Sequence, residues 1–542
     1  MLLAERLAQI VPTLSPIQIQ FALRFASGPA KRFAPDEKLL DVGDRDTAVW
    51  LVVEGSIVAS RRDGLGHERG FATGGPGQFS GEVSDLSGQA SLARVCAGPT
   101  GCVAYPFDLP HLRALLIGSA DIGELMMRAF ILRRAAFLEG DSVGSVILGE
   151  AASQDTIRLR GLLTRNSYPH SLIDAGGTEG QELLKRLGVD ADDLPILICP
   201  NGLVMRHPSD GEAGVGLGIT PQIEPDSKFD VIVVGAGPAG LATAVYAASE
   251  GLSVLVLDSR SFGGQAGASA RIENYLGFPT GISGQALTAR AFVQAQKFGA
   301  QFAVPVSVTE LDTSNPSMRR IRLDNGVSVY GRTVVIASGA RYRRPDIENL
   351  DRFEGTSASY WATPIEAKIC EGRDIVLVGG GNSVGQAAAF LSSFARKIYL
   401  VVRATGLEAS MSRYLIERIA STPNVELHTH TTVTGLLGTH AGVLEHVDLS
   451  SQTTGEAWQV DAQYMFLFIG AEPNTQWLDH RVALDDKGFV ITGHSSQMQL
   501  ETSRPGVFSV GDVRSGSVKR VAAGVGEGAA VVAQIHAYLA TL

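Results

Sequence analysis

The sequence is poor in cysteine. Its 542 residues include four, at positions 96, 102, 199 and 370, and none of them belongs to a CxxC pair. This spacing excludes the usual structural zinc site and a vicinal redox dithiol. So few thiols also fit a reducing compartment, and we expect a cytoplasmic protein.

Basic residues are outnumbered by acidic ones, 46 to 56, and long apolar runs are absent from the sequence. The formal net charge of −10 argues against non-specific binding to nucleic acid or to an anionic membrane surface. No uncharged apolar run is long enough to cross a bilayer. Glu5 and Arg6 interrupt the apolar N-terminus, which therefore does not read as a signal peptide. We expect neither nucleic acid nor a membrane as a partner, and no metal site.

The chain is long enough for several domains. Residues 1–140 show a pattern of short alternating strands followed by a long helical stretch. Residues 145–208 follow a compact β-α-β-α-β-β pattern. Residues 209–228 are rich in glycine, proline and acid, so we predict a linker there. From residue 229 onward buried strands alternate with helices, which predicts an α/β fold with parallel sheets covered on both faces.

The strongest motif is the stretch KFDVIVVGAGPAGLATAVYAASEGLSVLVLD. A buried strand leads into Gly235-x-Gly237-x-x-Gly240, a helix follows, and a second strand ends at Asp258. These glycines permit a tight turn, a close approach of the backbone to a pyrophosphate, and packing of helix on strand. An acid at the end of the second strand accepts hydrogen bonds from ribose hydroxyls. The motif predicts a dinucleotide such as FAD.

A second copy of this unit reads RDIVLVGGGNSVGQAAAFLSSFARKIYLVVR. Gly379 and Gly381 repeat the first two glycines, and Val384 replaces the third. The strand after the helix ends at Arg403, which cannot accept a hydrogen bond but can pair with a 2′-phosphate. This difference predicts NADPH as the second dinucleotide. The alternative is that Arg403 is only a solvated charge at a strand end.

Three later strands end in small or acidic residues of the kind that line dinucleotide sites. Asp512 at such an end can hydrogen-bond a ribityl or phosphate-linked hydroxyl. The residues at these strand ends are Ala337, Ser338, Gly339, Ile469, Gly470, Gly511 and Asp512.

With these motifs in order, residues 228–542 resemble the low-molecular-weight thioredoxin reductase family. The matching segments are GAGPAG, GGQ, IENYLGFP, IASGA, GGGNS, IGAEPNT and VFSVGDV. The resemblance implies an FAD-binding domain of residues 229–342 and 468–542, with an NAD(P)H-binding domain inserted at 343–467. It also implies hydride transfer from nicotinamide to flavin.

The resemblance carries residue roles with it. Gln265 and Asn274 would lie near the isoalloxazine ring, and the family's pair of residues beside the flavin is Arg520-Val521 here. The remaining FAD contacts that it implies are Pro238, Ala239, Gly263 and Gly264, and the remaining NAD(P)H contacts are Asn382, Ser383, Ile469 and Gly470.

The chain departs from the family in two places. Thioredoxin reductases carry CATC before the second glycine loop, and residues 361–364 read WATP here, so both redox cysteines are missing. We expect Tyr360 and Trp361 to lie close to the flavin in one domain orientation. Of the family's basic segment for the 2′-phosphate, Arg403 alone remains and Glu408 occupies a basic position, which leaves the choice between NADPH and NADH open.

The first 140 residues resemble a cyclic nucleotide-binding domain. Phe79, Gly81 and Glu82 match its phosphate cassette, but Ser91 or a neighbour stands where the family has an arginine, and Arg94 does not fit that place. A buried phosphodiester without an arginine loses a charge-assisted hydrogen bond of about 1.5–3 kcal/mol. The missing arginine favours a structural or dimerisation unit over a working nucleotide site.

Residues 145–208 resemble a thioredoxin or glutaredoxin domain. Pro195 stands where that family has a cis-proline, but the region of the first helix has no cysteine. The segment therefore cannot exchange dithiols, and we expect a docking module.

The sequence thus predicts an FAD-dependent NAD(P)H oxidoreductase, which we expect to be a homodimer. Electrons would pass directly from reduced flavin to an unidentified acceptor, for example a small redox protein. Two alternatives stay open: reduction of disulfides through a partner's thiols, and a redox or nucleotide sensor without turnover.

Overall fold

The structure is a computed structural model that describes residues 9–81, 83–86, 89–139, 144–166, 168–221, 223–269, 271–354, 356–360, 362, 364–439, 442–493 and 498–542. The described chain forms four units around separate sheets. We call them the N-terminal module (9–139), the small module (144–220), the first glycine-loop module (228–342 with 468–542) and the second glycine-loop module (343–467).

The N-terminal module is an antiparallel sheet with helices at its two ends. The strand order is β1-β5-β3-β4, and β2 pairs with β5. Helix α1 begins with a capping box, in which Ser15 and Gln18 satisfy each other's backbone N–H groups. The elements are α1 (Pro16–Ala22), β1 (Lys31–Phe33), β2 (Lys38–Leu40), β3 (Val49–Arg62), β4 (Glu68–Gly74), β5 (Arg94–Phe107), α2 (Leu109–Gly118) and α3 (Ala120–Glu139).

The small module has the β-α-β-α-β-β order that its sequence pattern predicts, followed by one further helix. Its sheet runs β7-β6-β8-β9, with β6 parallel to β7 and antiparallel to β8. The peptide bond before Pro195 is cis. The elements are β6 (Ser145–Gly149), α4 (Gln154–Arg165), β7 (His170–Asp174), α5 (Thr178–Leu187), β8 (Ile196–Ile198), β9 (Val204–Arg206) and α6 (Asp210–Gly216).

Helix α6 corrects the prediction of a linker at 209–228. Ser209 and Glu212 form a capping box that starts the helix, and Ala213, Leu217 and Ile219 are buried in the core of the small module. The glycines and acids that suggested a linker also encode the helix start, because Ser-x-x-Glu followed by apolar residues is a helix N-terminus signal.

Residues 228–342 begin the first glycine-loop module and end in a short strand that leaves it. The elements are β10 (Lys228–Val234), α7 (Pro238–Ser249), β11 (Val254–Leu257), α8 (Gly264–Gly267), α9 (Gly284–Lys297), β12 (Gln301–Ala303), β13 (Val308–Asp312), β14 (Arg319–Leu323), β15 (Ser328–Ile336) and β16 (Ala340–Tyr342).

The second glycine-loop module has a fully parallel sheet in the order β17-β24-β18-β19-β20 and a separate antiparallel sheet, β21-β22-β23. The elements are α10 (Leu350–Phe353), β17 (Ala358–Ser359), α11 (Pro364–Ile369), β18 (Asp374–Val378), α12 (Asn382–Leu391), β19 (Lys397–Val401), α13 (Arg413–Ala420), β20 (Val425–His428), β21 (Thr431–Gly438), β22 (Leu444–Ser451), β23 (Ala457–Asp461) and β24 (Tyr464–Leu467).

The chain then returns to complete the first glycine-loop module with β25 (Ala471–Pro473), β26 (Val507–Ser509) and α14 (Val521–Leu539). Strand β25 pairs with β16, so the two crossings between the glycine-loop modules lie side by side. In the main sheet β12, β11, β10, β15 and β26 are parallel, and β14 and β13 complete it as antiparallel strands.

Side-chain contacts hold the small module on the first glycine-loop module. Asn166 donates from Nδ2 to the Arg260 carbonyl oxygen at 3.1 Å, and the Thr220 hydroxyl donates to the Val304 carbonyl oxygen at 3.0 Å. Among the described residues, no helix is long and apolar enough to cross a membrane.

Candidate functional site

Four parallel strands of the first glycine-loop module end at one edge of its sheet. Strands β10, β11, β15 and β26 run in the same direction, so their carboxyl ends meet. In open α/β sheets ligands bind in the crevice outside these ends. The predicted FAD residues that follow these four strands, and that this topology brings together, are Gly235, Gly237, Pro238, Ala239, Gly240, Asp258, Ala337, Ser338, Gly339, Gly511 and Asp512.

The three glycines after β10 do what their motif requires. Gly235 has a φ of +114°, and a Cβ there would overlap the Ala337 carbonyl group. A Cβ at Gly240 would overlap the Gly235 carbonyl oxygen, so helix α7 packs tightly on its strand. Gly237 is the N-cap residue of α7, and no side chain of a described residue accepts a hydrogen bond from the first N–H groups of that helix. The open N–H groups and the missing Cβ form a cradle that fits a pyrophosphate.

Asp258 ties the glycine loop to the loop after β11. Its Oδ2 accepts from the Ala236 N–H at 2.9 Å, and its Oδ1 accepts from the N–H groups of Arg260 and Ser261 at 2.9 and 3.2 Å. Burial raises the pKa of this carboxyl group, while the three N–H donors oppose that rise. A carboxylate has about four acceptor positions, so one stays open for a ribose hydroxyl.

A second pair of glycines lies against the first loop. Gly263 and Gly264 both have positive φ, at +100° and +53°, and the Gly263 N–H donates to the Ala236 carbonyl oxygen at 2.7 Å. Gln265 donates from Nε2 to the Ala340 carbonyl oxygen at 3.2 Å, at the start of β16. Asn274 is exposed and makes no hydrogen bond with any described residue.

The end of β15 is fixed by a residue that the sequence analysis did not single out. The Ser338 hydroxyl donates to the Asn474 carbonyl oxygen at 2.7 Å, and Asn474 Nδ2 returns a hydrogen bond to the Ser338 carbonyl oxygen at 2.8 Å. The Asn474 N–H also donates to Gly339. The quoted motif IGAEPNT contains this asparagine, but its partner lies far away in sequence.

The end of β26 depends on helix α14. The Gly511 N–H donates to Glu527 Oε2 at 2.6 Å, and Glu527 also pairs with Arg514. Burial raises the pKa of the neighbouring Asp512. Sequence reasoning missed Glu527, which lies inside a helix of small residues and gives no motif signal.

Helix α14 points its N-terminus toward the same region. Arg520 is its N-cap residue, Val521 is its first residue, and no side chain caps the N–H groups there. A Cβ at Gly528 would overlap the Ala239 carbonyl oxygen, which shows how closely α14 packs on α7. The small residues of α14 therefore set the distance between these two helix N-termini.

The second glycine loop repeats the geometry of the first. Gly379 has a φ of +142°, and a Cβ there would overlap the Phe468 carbonyl oxygen. Gly381 caps α12 without a side-chain hydrogen bond. Val384 is fully buried in the core, so this position packs as a hydrophobic residue. The uncapped helix start again fits a pyrophosphate.

The other predicted NAD(P)H residues surround this loop. Asn382 Oδ1 accepts from the Ser412 N–H at 2.7 Å, while Ser383 is exposed. Arg403 is exposed two residues beyond the end of β19. Residues 469–470 follow β24, the neighbour of β18, so Ile469 and Gly470 lie at the same sheet edge.

Tyr360 belongs to the core of the second glycine-loop module. Its ring packs on the buried cluster of that module, and its hydroxyl donates to Glu354 Oε1 at 2.7 Å. Arg344 Nε donates to the other oxygen of Glu354 at 3.0 Å. Trp361 lies outside the described residues, so the predicted position of this pair near the flavin stays a prediction.

The cysteines have the character of packed thiols. Burial raises the pKa of Cys370 and of Cys199 to about 12, and it raises the pKa of Cys96 and Cys102 as well. None of the four cysteines lies in the segments that directly follow strands β10, β11, β15 and β26, where the predicted FAD residues are found. A thiol needs a low pKa to act as a nucleophile, so these residues are poor redox centres.

Near the predicted nucleotide cassette of the N-terminal module, Arg94 and Ser91 already have partners within the protein. Arg94 donates to Asp41 through Nε and Nη2 at 2.9 and 3.1 Å, and to Glu68 at 3.2 Å. The Arg94 guanidinium lowers the pKa of Asp41 to about 2. The Ser91 hydroxyl donates to the Ala93 carbonyl oxygen at 2.9 Å, and Glu82 lies outside the described residues.

Comparison with known proteins relates the part of the chain that carries this geometry to a family of oxidoreductases. The pyridine nucleotide-disulphide oxidoreductase model matches residues 229–528. An NADPH-dependent thioredoxin reductase 3 from Arabidopsis thaliana is 29% identical over 322 residues, which cover 57% of this chain and 58% of that protein. A thioredoxin reductase from Mycoplasma genitalium is 30% identical over 313 residues, covering 57% of this chain and 94% of that protein.

A solved structure gives the same result. The T. acidophilum thioredoxin reductase has a TM-score of 0.54 and 27% sequence identity, and the match covers 58% of this chain and 99% of that chain. Because the family model covers more than half of the sequence, the chain belongs to the pyridine nucleotide-disulphide oxidoreductase family.

Membership confirms the predictions of an enzyme, of an α/β fold with Rossmann-like domains, and of FAD and a nicotinamide dinucleotide as cofactors. The thioredoxin reductase-like proteins use FAD and NADPH. The chain spans 58% of the length of the Arabidopsis relative. The family match begins at residue 229, so the resemblances predicted for the N-terminal and small modules stay predictions.

Proposed function

We propose that the protein is an FAD-dependent NAD(P)H oxidoreductase that passes electrons from reduced flavin directly to an external acceptor. In this proposal the first glycine-loop module holds FAD and the second holds the nicotinamide dinucleotide, with the residues and domain boundaries predicted from sequence. When bound, FAD supplies the two-electron redox chemistry, and the protein supplies binding and orientation.

The contacts of the first glycine loop support this assignment. Gly237 at the uncapped start of α7 would hold the pyrophosphate, and the open acceptor position of Asp258 would take a ribose hydroxyl. Asp512, at the end of β26, would bond the ribityl chain. The uncapped N-terminus of α14 carries a partial positive charge, which would stabilise negative charge on a flavin ring bound beside it.

The observation that supports direct electron transfer from flavin to acceptor is the lack of a reactive dithiol. The two positions of the family's dithiol are Trp361 and Pro364, and burial raises the pKa of all four cysteines. The four cysteines are therefore poor candidates for a dithiol relay between flavin and acceptor, which disfavours reduction of disulfides by the usual route.

Purified FAD-loaded protein mixed with NADPH without oxygen tests the proposal. We expect rapid loss of the flavin absorbance, followed by its return when an artificial two-electron acceptor such as a quinone is added. A small disulfide added in place of the quinone should leave the flavin reduced. Flavin that stays oxidised with both NADPH and NADH would overturn the proposal and favour a sensor without turnover.

We propose that the N-terminal module and the small module act as docking units. We infer that the N-terminal module keeps a cyclic nucleotide-binding fold without binding the nucleotide, because Arg94 is bound to Asp41 and Glu68 and Ser91 is bound to Ala93. We infer that the small module, which has no cysteine in its first helix, is a thioredoxin-like docking module. A cytoplasmic homodimer remains our expectation.

A further inference from the structure

The loop after β19 folds back over the second glycine loop. The Ser410 hydroxyl donates to the Gly380 carbonyl oxygen at 2.9 Å, and the Ser412 N–H donates to Asn382 Oδ1 at 2.7 Å. Residues 402–412 therefore form one wall at the place where the glycine loop meets the end of β19. In a dinucleotide fold this place receives the adenosine ribose.

Two opposite charges lie on this wall without partners. Arg403 and Glu408 are both exposed, and neither makes an ion pair or a side-chain hydrogen bond with any described residue. The Glu408 carboxylate lies against Gly406, because a Cβ built at Gly406 would collide with it. Arg413, the next basic residue, is already paired with Glu417 at 2.9 Å.

The two unpaired charges favour different groups at the 2′ position of the adenosine ribose. A guanidinium pairs with the 2′-phosphate of NADPH, whereas a carboxylate accepts a hydrogen bond from the 2′-hydroxyl of NADH and repels a phosphate. Selectivity is a difference between two affinities, so a group that repels the 2′-phosphate lowers the preference for NADPH just as a group that attracts it raises that preference. Arg403 and Glu408 therefore oppose each other.

We propose that Glu408 is a specificity-determining residue that admits NADH alongside NADPH. This inference rests on the proposed function, in which the second glycine loop binds a nicotinamide dinucleotide. Arg403 keeps NADPH as a substrate, and Glu408 prevents strong discrimination against NADH.

The test compares kcat/KM for NADPH and for NADH in the full-length, FAD-loaded protein, with a quinone as acceptor. We expect the two values to lie within about tenfold of each other in the natural protein, because opposed charges leave little net selectivity. Glu408→Gln should raise the NADPH to NADH ratio by about 3- to 10-fold, and Glu408→Arg by about 10- to 100-fold, the scale of a charge-assisted pair. Arg403→Gln should lower the ratio by a similar factor.

Glu456→Gln is the matched control, since it removes an exposed carboxylate from the turn between β22 and β23 of the same module. Its ratio should stay at the natural value. Dissociation constants for NADP⁺ and NAD⁺, from the same variants, should shift in the same direction as the kinetic ratio. Unchanged FAD content and circular dichroism verify that each variant is folded.

An unchanged ratio in Glu408→Gln and Glu408→Arg, with both dinucleotides still reducing the flavin, would overturn the inference and leave the proposed function intact. A natural protein that uses NADPH at least 1000-fold better than NADH would also overturn it, because strong discrimination is not compatible with a repulsive carboxylate at the phosphate. Failure of both dinucleotides to reduce the flavin or to bind would overturn the proposed function together with this inference.

Discussion

At the residue scale, the hydroxyl of Tyr360 makes a structural hydrogen bond in the stretch SASYWATPIEAKIC, where the family has its redox dithiol. It donates to Glu354 Oε1, whose other oxygen accepts from Arg344. Burial and this carboxylate raise the pKa of Tyr360. Tyr360 therefore anchors the backbone just before the position of the missing dithiol.

Tyr360→Phe should weaken the second glycine-loop module without slowing flavin reduction. The change removes the hydrogen bond to the charged Glu354, which contributes about 1.5–3 kcal/mol, and keeps the ring. Denaturant unfolding should report the loss of stability, and stopped-flow absorbance should report an unchanged rate with NADPH. A rate that falls tenfold or more with unchanged stability would show that the hydroxyl acts at the flavin instead.

His170 gives the small module a pH-dependent stability. Burial lowers the pKa of this imidazole, and Arg160 adds to the effect. The folded state therefore favours the neutral ring, whose Nδ1 lies 3.0 Å from the Tyr168 carbonyl oxygen. Because the folded pKa lies below the unfolded value of about 6.5, this contribution to stability is fully present above the unfolded pKa and is lost as the pH falls from there through the lower folded pKa.

Urea unfolding at pH 7.5 and pH 5.5 should show this loss in the natural protein and a smaller loss in His170→Asn. Replacement of the exposed His480 by Asn is the control and should keep the natural pH dependence. An equal loss of stability in the natural protein and in His170→Asn would contradict the role of His170.

At the element scale, the packing of α14 on α7 controls how the two helix N-termini face the predicted flavin site. Gly528→Ala places a methyl group against the Ala239 carbonyl oxygen and the Thr243 N–H. Overpacking of this kind costs about 1–3 kcal/mol, and we expect weaker FAD retention, measured as flavin absorbance after gel filtration.

Gly526→Ala is the matched control on the same helix. Nothing lies within 4 Å of a Cβ at Gly526, so the change should raise the free energy of unfolding by about 0.5–1 kcal/mol through helix propensity. Equal FAD retention in the two variants would show that the close approach of α7 and α14 does not shape the site.

The elements also show how far sequence reasoning reaches. Both glycine loops and the buried strands before them could be predicted, because local turn chemistry and hydrophobic patterning encode them. Helix α6 was missed because its glycines and acids outweighed a capping box. Asn474 and Glu527 could not be found, since each acts through a partner more than ten residues away along the chain.

At the scale of the whole molecule, the described residues join the two glycine-loop modules through paired strands and an ion pair. The paired strands β16 and β25 carry both crossings, and Arg418 Nη1 lies 3.1 Å from Glu273 Oε1 between α13 and the segment before Asn274. Exposed ion pairs of this kind contribute about 0–1 kcal/mol. We expect this connection to let the second glycine-loop module move as a hinged domain.

The central claim is that the flavin is the sole redox centre of the chain. An anaerobic titration of the FAD-loaded protein with NADPH, followed at the flavin absorbance maximum, tests it most directly. A flavin without a dithiol takes up one pair of electrons, so one equivalent of NADPH per FAD should complete the bleaching. A titration that needs two equivalents per FAD would reveal a second two-electron centre and contradict the account.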